Sequence, residues 1–129
     1  AAVSVAAADT FASEFGCLDE NVRMITTLKK CEAGINGGFS KTGQLAALIG
    51  SVIIALMTIG AWILINPDES ISYGLNLGLA VVAIGWIGCQ IDSFLGAWFE
   101  NRGLLTKGGV NALAISSGML IMLAWLSWF

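Results

Sequence analysis

Apolar residues run along this chain in three long blocks with short polar breaks between them, after an opening of about 43 residues with a different rhythm. About 20 apolar residues at a 1.5 Å rise cross a hydrocarbon core of about 30 Å, so each block predicts a membrane-spanning helix. The first extends from about Gln44 to Ile65 without a charge, and Asn66-Pro67-Asp68-Glu69-Ser70 ends it with turn chemistry and a helix-stopping proline. The second, from about Tyr73 to Phe99, is long enough to tilt or to emerge from the bilayer, and carries Gln90 and Asp92 near its end. The third, Asn111 to Phe129, is short but uninterrupted and finishes on Trp125, Trp128 and Phe129. Those aromatics suit a headgroup boundary, as do Trp62 and Tyr73 at one face and Trp98 with Phe99 at the other.

In the opening segment Phe11, Phe15, Leu18, Val22 and Ile25 recur at spacings of four and three, the stripe of an amphipathic helix. Its expected start is near Asp9 or Thr10, which can cap, and its expected stop is Gly34. Early Glu14, Asp19 and Glu20 and late Lys29 and Lys30 suit the helix dipole. Two uses of the stripe stay open: a helix lying on the membrane or over the span ends, or a Phe-rich face docking onto a partner protein. The fold class that follows is an all-α integral membrane protein, three transmembrane helices preceded by an N-terminal amphipathic extramembrane helix. Residues 1–43 form the extramembrane helix and a Gly-rich elbow, and residues 44–129 the spans at about 44–65, 73–99 and 111–129.

Composition narrows the function. Of 129 residues 57% are apolar and 12% charged, against about 25% charged in a soluble domain. The net charge of −3 leaves no basic stripe for nucleic acid, and with no histidine there is no imidazole-centred catalysis, zinc site or axial ligand. An enzyme is not expected, nor a metal centre. Lys29, Lys30 and Lys41 precede the first span, none falls between Asn66 and Ser72, and Arg102 with Lys107 separates the second and third. The positive-inside rule then puts the N-terminus and the Arg102/Lys107 loop in the cytoplasm, stroma or matrix. The start at Ala1 reads as a processed end, an organelle import product fitting the lysines better than secretory cleavage. Cys17 and Cys31 would lie roughly 21 Å apart on one continuous helix, so free thiols are expected.

The Gly34–Gly43 stretch lacks the Walker spacing and a preceding strand, and reads as an elbow rather than a phosphate loop. Gly74, Gly78, Gly85, Asp92 and Gly96 fall at spacings of four, seven, seven and four, a small-residue stripe on which helices approach closely in lipid. Packing against the other spans is the plainer reading; a pigment, carotenoid or lipid in the groove is the functional one. Asp92 is the single charge inside a predicted span, near the inner boundary, where structural pairing with Arg102 or Lys107 is expected. Glu100 and Asn101, with Gln90, are the candidate oxygen ligands for a chlorophyll magnesium in a chain without histidine, although a solvated helix end before Gly103 is the simpler account.

The processed start, basic inner side, Gly-rich spans and border tryptophans resemble, in type rather than in aligned residues, the small three-helix accessory subunits of photosynthetic complexes. That resemblance implies a non-catalytic subunit stabilising a larger energy-transducing assembly, such as a photosystem or its antenna in a thylakoid. Its partners would be other membrane subunits and the bilayer, with chlorophyll, carotenoid and structural lipids as cofactors. The alternatives are a small homo-oligomeric channel or transporter with Asp92, Gln90 and Asn76 along its path, and a membrane-inserted pilin or coat protein.

Overall fold

The computed structural model describes residues 1–128. Helix α1 covers Ala2–Gly16, and two short strands follow, β1 (Arg23–Met24) and β2 (Gly38–Phe39). Helices α2 (Lys41–Ile65) and α3 (Ile71–Leu95) come next, α3 running into a π-helical turn at Gly96–Glu100, and α4 (Lys107–Leu126) closes the chain. Side-chain caps set the starts of the long helices. Ser40 accepts from Gly43 N–H at 3.1 Å, Ser70 accepts from Ser72 N–H at 3.3 Å, and Thr106 accepts from Gly109 N–H at 3.2 Å. At the far end of α2, Asn66 and Pro67 turn the chain so that the rings of Trp62 and Tyr73 stack 4.6 Å apart between α2 and α3. Among the described residues three segments are long and apolar enough to cross a bilayer: Lys41–Ile65, Ile71–Glu100 and Lys107–Leu126. Phe129, expected beside Trp125 and Trp128 at the boundary, lies outside the described residues.

The segment before the spans departs from its expected form. The helix begins at Ala2, places Asp9 in its middle and ends at Gly16 instead of extending from about residue 10 to Gly34. The reason lies beyond the local pattern. Asp19 takes the backbone N–H of Asn21 on one oxygen at 2.9 Å and the Thr42 hydroxyl on the other at 2.9 Å, a side-chain turn that competes with helix continuation. The expected apolar stripe is therefore split. Phe11 and Phe15 stay together on α1 with ring centroids 5.8 Å apart, Leu18 projects outward, Val22 is buried in the following loop, and the Ile25 N–H bonds the Gly37 carbonyl at 2.8 Å. No single face presents all five residues.

Nor is α1 set apart from the spans. It runs antiparallel to α2 and alongside α3 and α4, from the basic end, where Lys41, Arg102 and Lys107 lie, to the middle of α3. There the buried Ser4 hydroxyl donates to the Val81 carbonyl at 2.9 Å. Its 15 residues cover about 22 Å. The small residues make this entry sterically feasible. A Cβ added at Gly85 would collide with the Ser4 and Ser51 hydroxyls, and one at Gly88 with the Val5 side chain. Farther along the stripe Gly74 receives the Trp62 ring, Gly78 the Ile59 side chain and Gly96 the Asn36 Cβ. The groove on α3 is thus filled from within the chain, by α1, α2 and the loop before α2. Val5, Ala80, Ile84 and Ala114 form the buried core at this crossing. Leu45, Leu56 and Leu64 on α2, Leu79 on α3, and Leu120 and Leu123 on α4 point outward, as lipid-facing side chains do.

Candidate functional site

Toward the basic end the small-residue faces of α1 and α3 turn polar. Along α3 and its π-turn Cys89, Asp92, Gly96 and Glu100 succeed one another at spacings of three and four, and on α1 Asp9, Ala12 and Gly16 do the same, with Ser13 next to Ala12. Both sets line a cavity of about 190 Å³, closed over by the loop Gly34–Gly38 and bordered by Gln44 and Lys107. A second hollow of about 60 Å³ shares Asp9 and Asp92 with it and lies deeper, against Val5, Ala114 and Ile115. The site therefore extends from the basic end into the apolar level of the bundle.

At its centre the carboxyl groups of Asp9 and Asp92 come within hydrogen-bond reach of one another, on the wall common to both hollows. The Asn111 side chain, oriented with its nitrogen toward Asp92, donates to Asp92 Oδ2 at 2.8 Å and to the Lys107 carbonyl at 3.3 Å. Glu100 adds a third carboxylate to the wall, and Lys107 is the sole cation among the lining residues. The π-turn, in which Asn101 N–H reaches the Gly96 carbonyl at 3.1 Å, carries Glu100 at this wall; such turns recur at functional sites. Asn101 also straps the cover down, donating from Nδ2 to the Asn36 carbonyl at 2.9 Å. Gly37 makes that closure feasible. Its φ of +81° is left-handed, and a Cβ there would strike Ala97 and approach the Ser93 carbonyl to 2.9 Å. Outside the bundle, Asp19 is held below the usual carboxylate range, first by the Asn21 backbone N–H and then by the Thr42 hydroxyl and N–H. Burial pushes the Cys31 thiol up.

The residues singled out from sequence fall in different places. Gln90 faces Gln44, with paired amide contacts at 3.2 and 3.0 Å, and Trp86 Nε1 donates to the same Gln44 oxygen at 3.0 Å. Glu100 lines the cavity, and Asn101 holds the covering loop. These three do not converge on one ligand. Asp92 meets Asp9 and Asn111, where the sequence suggested Arg102 or Lys107. Asp9, expected at the start of the opening helix as a cap, instead faces this site; the signal that finds it is the spacing of Val5, Asp9, Ala12 and Gly16, a face of mostly small residues matching the one on α3. Among the described residues no three His, Cys, Asp or Glu side chains are arranged to hold a metal ion, and Cys17, Cys31 and Cys89 are free thiols.

A family model described as integral membrane protein DUF92 matches residues 1–125. The chain belongs to this family. It is accordingly an integral membrane protein of all-α class, three spanning helices preceded by an N-terminal helix. An uncharacterized membrane protein of Methanocaldococcus jannaschii is 33% identical over 120 residues, covering 92% of this chain and 46% of that protein. Protein PGR of Arabidopsis thaliana is 37% identical over 99 residues, 74% of this chain and 34% of that protein. The chain thus spans less than half the length of these two relatives. No solved structure matches it.

Proposed function

We propose that the chain is the binding unit of a larger membrane protein, admitting a small polar or cationic solute from the basic side into the cavity around Asp9 and Asp92. This develops the transporter alternative. The observation that carries it is the meeting of Asp9 and Asp92. The sequence displays one charge within a span, whereas the folded chain gathers a carboxyl pair, Glu100 and one lysine around a hollow that penetrates the bundle. Ionisable groups at membrane depth are costly and mark binding or conduction paths. The larger assembly is supported by the greater length of both relatives. Lys41, Arg102 and Lys107 at one end support placing that end on the cytoplasmic, stromal or matrix side.

The test is charge-selective labelling of Ser93→Cys in a protein whose native cysteines are replaced, reconstituted in vesicles. A cationic thiol reagent reacts faster than an anionic one of equal size, whereas Ala112→Cys on the outer face of α4 shows no such preference. Equal rates at both positions, or an inert Ser93→Cys, would falsify the proposal. A second reading, the non-catalytic accessory subunit, is favoured by the outward apolar faces of α2 and α4, which can accept partner helices. Copurification of other polypeptides in fixed ratio, together with equal labelling rates, would select it. Its pigment-bearing form gains no support from Gln90, whose amide is taken up by Gln44. Relatives in an archaeon and a plant favour a role common to both over one tied to a photosystem in a thylakoid.

A further inference from the structure

We infer that Asp9 and Asp92 share a single proton across the α1–α3 interface and that this proton latches α1 into the bundle. Asp9 and Asp92 come within hydrogen-bond reach of one another on the wall shared by both hollows, and since two ionised carboxylates offer acceptors only, that approach is favourable when one partner holds a proton. Asp92 Oδ2 needs none, because the Asn111 amide already donates to it at 2.8 Å. The charged and titratable surroundings come from every packed element. On α3 Cys89 lies one turn away, the π-turn supplies Glu100, α4 supplies Lys107, and α2 and the covering loop bring only uncharged groups to the cavity. One ammonium thus faces three carboxyl groups.

Release of the proton to water in the cavity leaves two like charges at hydrogen-bond range in a setting that screens them poorly. The helix bearing one of them packs against α2, α3 and α4 chiefly through small residues. Its polar ties besides the carboxyl pair are the Ser4–Val81 bond and the Ser40 hydroxyl on the Gly16 carbonyl at 3.5 Å. Repulsion between Asp9 and Asp92 therefore acts directly on the seating of α1. Reprotonation restores it. The inference is independent of which solute enters the cavity.

Infrared spectra of the wild-type protein in liposomes, taken from neutral to alkaline pH, read the shared proton through the carboxylic C=O stretch. A band is expected at neutral pH that disappears on alkalinisation and is absent from Asp9→Asn and Asp92→Asn. Hydrogen exchange of α1, referred to α4 in the same sample, reads the latch. The α1 to α4 ratio rises on alkalinisation in the wild type and stays level in Asp9→Asn, whose amide donates to Asp92 without needing a proton. The inference is overturned by absence of the band at neutral pH, by a band that survives both substitutions, or by a wild-type exchange ratio indifferent to pH. Loss of the band on adding magnesium chloride at neutral pH overturns it as well, because the pair is then a cation ligand. The wild-type titration decides the matter where a variant does not fold.

Discussion

Asp19 joins two parts of the chain that the sequence keeps 23 residues apart, accepting from both the hydroxyl and the N–H of Thr42 in the first turn of α2. Its carboxyl is held low, so the bond is fully formed above the ordinary carboxylate range and is lost as the pH falls through the depressed value. Acidification through that window is expected to quicken hydrogen exchange in the first turn of α2, and Asp19→Ala to show the quickened rate already at neutral pH. An unchanged rate in the variant would leave Ser40 as the sufficient cap. Gly60 offers the opposite case. It sits in α2 with nothing within 4 Å of an added Cβ, so Gly60→Ala is expected to raise stability by about 0.5–1 kcal/mol through reduced backbone freedom. Denaturant titration in detergent measures it.

Among the elements, α3 organises the rest because its small face is the surface on which α1, α2 and the covering loop converge. Gly85→Leu puts a branched side chain where Ser4 and Ser51 meet the backbone, and overpacking of this kind costs about 1–3 kcal/mol. The expected signature is loss of exchange protection in α1 ahead of α4, together with a lower unfolding midpoint. Retained protection in α1 would mean that the helix seats elsewhere. The spans were legible because a long apolar run has one physical solution in lipid, and Pro67 fixes where the first run ends. The opening helix was not. Phe11, Phe15, Leu18, Val22 and Ile25 carry a valid helical period, but Ala, Ser and Gly carry none that an apolar scan detects, and they decide which face of α1 is buried.

For the molecule as a whole, the two loops at the basic end and the turn at Pro67 mark opposite sides of the bundle. Cys17, exposed at the end of α1, is expected to react with a membrane-impermeant thiol reagent from the basic side only. Cys31 reacts more slowly near neutral pH, since partial burial keeps its thiol protonated to higher pH, and the buried Cys89, reached only through the cavity, reacts more slowly than the exposed Cys17. Labelling of Cys17 from the Pro67 side would reverse the proposed orientation.

The sequence alone determined the membrane, the spans and their punctuation, because hydrophobic length and proline chemistry act locally and admit few alternatives. It also located Asp92 on the small-residue face of the second span and Glu100 at the inner end of that span. Only the tertiary structure decided that Asp9 meets Asp92, that α1 fills the glycine groove, and that Gln90 is occupied by Gln44. Those pairings join positions 83 and 46 residues apart in the cases of Asp9–Asp92 and Gln44–Gln90. Such distances are closed by the fit of one small-residue helix face against another, a property of two surfaces together that neither segment carries by itself.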